Sequence, residues 1–193
     1  MKKVKILALV IVMTLSLHTS VSYADTDDVF PFTWGVDTTD FSVQAFTTTF
    51  TDKIQTHSYD WNGIDNNIFV SSTTWNIYMD DEGCDIKFYE TDLPGTTIGR
   101  TKFYNKSLGI YWEVSYSYTG SIEQSRIYLD NASGGLGDLS DEWQVKTIVH
   151  EIGHALALAH PDCGSDALMQ QGQSSPAKST IQTHDEDNLK NKW

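Results

Sequence analysis

Residues 150–163 read HEIGHALALAHPDC, which puts three of the chain's six histidines and one glutamate within eleven residues. His150 and His154 are four apart, so on a helix they leave nearly the same face one turn apart and both imidazoles can reach one cation. Glu151 is offset from His150 by about 100 degrees. That suits a carboxylate meant for water beside the ion, not for the ion itself. His160 lies six residues past His154, and six more helical residues would rotate it by about 240 degrees, away from the site. The helix must therefore end between them and the chain turn back, and Pro161 agrees with a helix already finished. Three imidazoles and a neighbouring carboxylate leave one coordination position open. That is the pattern of a catalytic zinc site, whereas structural sites close the fourth position with Cys or His.

The residues before the motif read as the rest of its helix. Ser140 is placed to cap it, and Asp141 and Glu142 put negative charge in the first turn, where the helix dipole favours it. Val145, Ile148, Val149, Ile152 and Leu156 then form one apolar stripe. Further upstream, FPFTWGV (30–36) reads as a first strand. From Asp40 the residues Val43, Phe46, Phe50, Ile54 and Trp61 recur at helical steps, which predicts a first helix from Asp40 to about Gly63. Aromatic and β-branched runs follow as strands: IFVSSTTWNIYM (68–79), DIKFYE (85–90), IYWEVSYSY (110–118) and SRIYLD (125–130), with LPGTTIG and NASGGLGD as loops. A last helix is expected from Thr183, where T-H-D-E has capping-box spacing and Leu189 and Trp193 lie four apart to pack inward.

The amino terminus carries Lys2, Lys3 and Lys5, an apolar run from Ile6 to about Leu17, and a polar stretch ending Ser22-Tyr23-Ala24. This is the layout of a secretory signal peptide, too short in its apolar part to span a bilayer, with cleavage expected after Ala24 and a secreted, extracellular product. Residues 25–193 suit one domain with one core. Without the three leader lysines, 10 basic residues face 26 acidic ones, a net charge of −16. Such a balance argues against nucleic acid or an anionic membrane as partner; solubility of an exported protein accounts for it as well. Cys84 and Cys163 either pair or stay free; two cysteines make no framework. The sequons at Asn105 and Asn131 matter only if the host glycosylates.

With these residues in view, HEIGHALALAH resembles the metzincin motif H-E-x-x-H-x-x-G-x-x-H, and DALM (166–169) resembles the Met-turn of that family. The interval from His160 to Met169 is most similar to the matrixin branch, the matrix-metalloprotease-like catalytic domains. CDIKFYE and the region 187–193 resemble the corresponding strand and closing helix more loosely. The resemblance implies an α+β zincin domain: a five-stranded twisted mixed sheet, mostly parallel with one antiparallel edge strand, and two main helices. An upper subdomain of about 30–160 would be followed by a lower one, 161–193, with a third helix. It implies His150, His154 and His160 as Zn²⁺ ligands, Glu151 as general base and Met169 as the apolar floor. It also implies a monomer whose partner is a protein or peptide substrate, bound along an edge strand within Tyr111 to Asp130. Structural Ca²⁺ in the Asp130 to Asp138 loop is a further possibility of the resemblance, against the plainer reading of a solvated acidic loop.

The chain departs from the family pattern in three places. Ala157 stands where the motif has glycine, at a turn that needs a left-handed residue, a conformation costing alanine roughly 1–2 kcal/mol. Cys163 is then the substitute third ligand, with His160 preferred. Only about six residues separate Ala24 from the first strand, so no inhibitory pro-domain is expected. Gln171 stands where some metzincins place a metal-facing tyrosine, which fits the matrixin branch. Two rival functions differ in kind. One is a secreted zinc-binding adhesion module on a degenerate protease fold. The other is a different zincin class in which Glu186 is the third ligand.

Overall fold

The computed structural model describes residues 28–35, 40–72, 83–162, 166–172 and 178–193. The leader, Cys163 and most of the 68–79 run lie outside these residues. Chain order is β1 (Thr33–Trp34), β2 (Asp40–Phe46), α1 (Thr51–His57), β3 (Phe69–Ser72), β4 (Ile86–Thr91), β5 (Gly99–Ser107), β6 (Ile110–Val114), β7 (Ser121–Ile122), β8 (Gln124–Asp130), α2 (Asp141–Ala155) and α3 (Thr183–Lys192). The class is α+β, with a mixed sheet and three α-helices among the described residues.

Among the described residues the main sheet has six strands, in the order β3-β2-β4-β8-β5-β6. β3, β2, β4 and β8 run parallel, and β5 is antiparallel to both β8 and β6. The expected five strands are therefore corrected to six. β5 was not read as a strand from sequence, and the reversed strand is next to the edge, with β6 folded back outside it as a hairpin. The expected first strand shrinks to Thr33–Trp34, which pairs with β7 in a separate two-stranded ribbon.

The expected helix from Asp40 to Gly63 is also corrected. Asp40–Phe46 is a strand, and only Thr51–His57 is helical. Phe41, Val43 and Ala45 are fully buried at alternate positions, a period of two that coexists with the helical spacing of Val43, Phe46, Phe50 and Ile54. Inside a sheet the backbone pairing of β2 with β3 and β4 decides between them. Trp61 follows α1 in a run of turns, fully buried, with its Nε1–H donated to the Val149 carbonyl 3.0 Å away. That bond ties the α1 region to α2.

α2 runs as expected, with Ser140 at the N-cap position, although its hydroxyl makes no capping bond. Ile148, Val149, Ile152 and Leu156 are fully buried in one cluster that extends from Phe32 to Leu189. α3 starts with Gln182 as N-cap, one residue before the expected Thr183, and it is Asp185, not Glu186, that takes the Gln182 N–H at 2.9 Å. Leu189 is buried, and Trp193 donates Nε1–H to Leu156 O at 3.1 Å, so α3 closes against the end of α2. No helix among the described residues is long and apolar enough to cross a membrane.

Candidate metal centre

α2 ends where the histidine spacing requires. The chain turns at Ala157, which has φ +72°. The Ala157 N–H bonds to His154 O at 2.9 Å and the Leu158 N–H to Gly153 O at 3.0 Å. This is a Schellman motif, the usual way a helix satisfies its last carbonyls through one left-handed residue, here made by alanine instead of glycine. The turn expected from sequence is thus present, and the strain is stored in Ala157.

An N-terminal strap holds the turned-back segment. Phe30 N–H donates to Ala157 O and Ala159 N–H to Asp28 O, each at 2.8 Å. The Asp28 carboxylate is buried. It accepts the Asp162 N–H at 3.2 Å and faces His184 Nε2 of α3 at 2.9 Å. The loop carrying His160 is therefore held by the chain's first described residues, and His184 of the last helix braces that strap through Asp28.

The result is convergence. Nε2 of His160 lies 3.1 Å from Nε2 of His150 and 3.1 Å from Nε2 of His154. His150 donates Nδ1–H to Leu168 O at 2.9 Å, and His154 donates Nδ1–H to Leu158 O at 2.8 Å. Those bonds fix the tautomer, so both Nε2 atoms present lone pairs to the same point. Protonation does not relieve the crowding, because burial holds His150 well below its ordinary range and pulls His154 down to about 3, and it lowers His160 too. A shared cation would relieve it, and neutral imidazoles suit Zn²⁺ among other transition metals. Among the described residues this triad is the one His, Cys, Asp or Glu group with metal-holding geometry.

Glu151 sits beside the triad, buried. Burial pushes its carboxyl up to about 7, against the Thr101 hydroxyl and the charges of Lys146 and Arg100, which pull it down. Thr101 Oγ1 lies 2.6 Å from Glu151 Oε2 and 3.0 Å from Glu151 O, and its single hydrogen can serve either. Gly99 on the same strand leaves room for this carboxylate. A Cβ there would stand 2.8 Å from Glu151 Oε1 and 2.7 Å from Thr147 Cγ2. Neither Thr101 nor Gly99 was singled out from sequence, because both lie about fifty residues from Glu151 and only the pairing of β5 beside α2 brings them in.

Met169 is buried, and its sulfur and the Trp61 ring both occupy the space that a Cβ on Gly153 would need. The turn that carries it is pinned by Asp185. This carboxylate accepts the Leu168 N–H at 2.7 Å and the Met169 N–H at 3.0 Å. Since Leu168 O receives the His150 proton, one short chain of bonds runs from α3 through residues 168–169 to the triad.

The site opens into a cleft of about 680 Å³ lined by Phe30, residues 96–101, Tyr116, Trp143, Lys146, Thr147, Glu151, the three histidines, Gln171 and Gly172. The strand bordering it is the first part of β5, where β5 runs past the end of β6; β6 begins to pair only at Phe103. Of the expected stretch Tyr111 to Asp130, β6 is the outer edge of the sheet but stops short of the cleft, and β8 is interior. The backbone of β5 alternates: Ile98 O faces β8 by accepting the Asp130 N–H, so Gly99 and Thr101 face outward, and Tyr116 Oη donates to Thr101 O at 2.8 Å.

The other expected sites fare differently. Glu186 is paired with Lys190 at 3.3 Å and is outside the triad. Asp130 Oδ1 accepts the N–H groups of Leu93 and Ala132, and Asp138 accepts that of Gly134, so Asp130 ties its loop to the one after β4 and Asp138 braces its own. Cys84 is a free, buried thiol. Neither a family model nor a curated protein matches the sequence.

Proposed function

We propose that this chain is an exported zinc-dependent endopeptidase of metzincin type, closest in pattern to the matrixins. The observation that carries the reading is the meeting of three imidazole Nε2 atoms, two with fixed lone pairs, beside the buried Glu151 carboxylate in an open cleft. His150, His154 and His160 would hold the ion, with Met169 beneath and Glu151 left free of it. Bound Zn²⁺ supplies Lewis acidity, acidifying water toward pKa about 7 and polarising a carbonyl.

The chain's own residues do the rest. Glu151 accepts a proton from the attacking water and returns it to the leaving amine, acting first as base and then as acid. Thr101 holds one oxygen of that carboxylate and so sets its direction. The outward N–H and C=O groups of Gly99 and the N–H of Thr101 are placed to pair with an extended peptide, which fits a polypeptide substrate. Phe30, Trp143 and Tyr116 supply apolar walls.

The test combines elemental analysis with turnover. The mature protein should carry one zinc per chain and cleave casein or gelatin until a chelator is added. Glu151→Gln should keep the zinc and lose at least about 10²–10⁴-fold in rate. Stoichiometric zinc without cleavage in the wild type would favour an adhesion module, and absence of zinc would end the reading.

A further inference from the structure

We infer that the cleft recognises a peptide with an acidic side chain next to the scissile bond, and that Lys146 is the residue that recognises it. The inference rests on the endopeptidase reading above and adds its substrate class.

The chain has 26 acidic residues against 13 basic ones, but the cleft does not share that acidic excess. Its one acidic lining residue is Glu151, which the chemistry uses, while Lys146 and Arg100 are both on its wall. Strand alternation separates the two cations. Thr101 points to Glu151, so its neighbour Arg100, opposite Tyr128, is directed to the other face of the sheet. Lys146 is the cation that belongs to the cleft.

Lys146 lies on α2 four residues before His150, hence on the same helix face and about 6 Å along the axis from it. A side chain one residue from the reacting carbonyl spans that distance. Lys146 is only 6% exposed. Its ammonium has three N–H donors, and the described residues give it one acceptor, the Gln170 carbonyl at a long 3.3 Å, with the Trp143 ring at 5.7 Å. Glu151 does not close the pair: its Oε2 accepts from the Thr101 hydroxyl, and neither of its oxygens is within ion-pair distance of the Lys146 ammonium.

A buried ammonium with spare donors is costly unless an anion meets it. An aliphatic side chain entering between α2 and residues 170–172 would remove its remaining water and leave those donors unpaired. An Asp or Glu side chain would satisfy them with a charge-assisted bond. Burial lowers the pKa of Lys146, and the Glu151 and Asp185 carboxylates push it back up; a carboxylate on the substrate acts in the same direction as these two.

The experiment has a catalytic arm and a binding arm. The zinc-loaded mature protein is given a peptide library randomised on both sides of the cleavage point, then matched peptides with Glu or Gln at the selected position. Asp or Glu should be enriched at one flanking position, with kcat/KM for the Glu peptide about 10–100-fold above that for Gln. Lys146→Arg should keep the ratio, Lys146→Met should bring it near one, and Lys146→Glu should turn the preference toward Lys or Arg. Calorimetric titration of the zinc-loaded Glu151→Gln protein with the same two peptides should show the same ratio in Kd. A chelator-sensitive wild-type enzyme with no acidic preference would overturn the inference and leave the endopeptidase reading standing, and the wild-type profile decides this even if a Lys146 variant fails to fold. Absence of any chelator-sensitive cleavage would overturn both.

Discussion

Replacing Asp185 by Asn tests whether the last helix holds the metal centre in shape. Asp185 is 1% exposed and accepts three backbone N–H groups: Leu168 and Gln182 on Oδ2, Met169 on Oδ1. An amide can place its oxygen where Oδ2 was, but its NH₂ then faces the Met169 N–H. One bond to a charged acceptor is lost, about 1.5–3 kcal/mol, and a buried donor is left unmet, about 1–3 kcal/mol more. Burial raises the Asp185 pKa despite those three bonds, so the neutral amide recovers part of that loss. A net destabilisation of about 2–4 kcal/mol remains.

The assay is a urea melt of the metal-free protein at neutral pH, where a drop in midpoint at unchanged slope reads stability directly. The loss should carry over to the metal, because Leu168 offers its N–H to Asp185 and its carbonyl to His150. Partners that orient a ligand are worth about 10–100-fold in metal affinity, measurable by competition with a chromophoric chelator. A variant within 0.5 kcal/mol of wild type that binds zinc as tightly would refute the idea that α3 braces the triad through this carboxylate.

Three further outcomes are expected. Ala157→Gly relieves about 1–2 kcal/mol of left-handed strain but loses a buried methyl and frees the unfolded chain, so its melt should stay within about 1 kcal/mol of wild type; Ala157→Val, branched at φ +72°, should lose more than about 2 kcal/mol, and equal tolerance of the two would contradict the left-handed turn. Thr101→Val should keep zinc but cut kcat about 10–100-fold, the worth of one hydrogen bond to a charged group, and a variant with full turnover would show that Glu151 needs no such guide. Burial pushes the Cys84 thiol up to about 11 from 9.0. The native state thus holds that proton more tightly than the unfolded chain, and stability present below pH 9 should fall by about 2–3 kcal/mol as pH rises to about 11. Melts of wild type and Cys84→Ala at pH 8 and 11 isolate the effect, and parallel losses in the two would rule it out.

What could be read from sequence divides by how far a residue's partners lie along the chain. α2, its buried stripe and the shared face of His150 and His154 follow from local periodicity, which survives folding because the helix makes its own bonds. Asp40–Phe46 is ambiguous in sequence, since Val43, Phe46, Phe50 and Ile54 satisfy a 3.6-residue period as well as Phe41, Val43 and Ala45 satisfy a two-residue one. Local spacing cannot choose between them; ladders to β3 and β4 do. β5 escaped for the same reason. Its inward Thr101 and Phe103 alternate with Lys102 and Tyr104, a weak signal that becomes a strand through β8 on one side and β6 on the other.

His160 shows the boundary between the two kinds of information. Helical geometry required that the chain turn back before it, and the left-handed Ala157 supplies that turn locally. Where the turn then delivers the imidazole is set from a distance, by Asp28 and Phe30, which bond to the loop, and by His184, which faces the Asp28 carboxylate. None of these was legible as a site residue, because a carboxylate or backbone amide that braces a loop has no motif of its own. The same holds for Thr101 toward Glu151 and Asp185 toward residues 168–169. The residues that would touch the ion announce themselves by spacing, while those that aim them are spread over most of the chain. A triad with every ligand intact can therefore lose its geometry through a substitution more than a hundred positions away, as at Asp28, whose carboxylate joins the Asp162 N–H to His184.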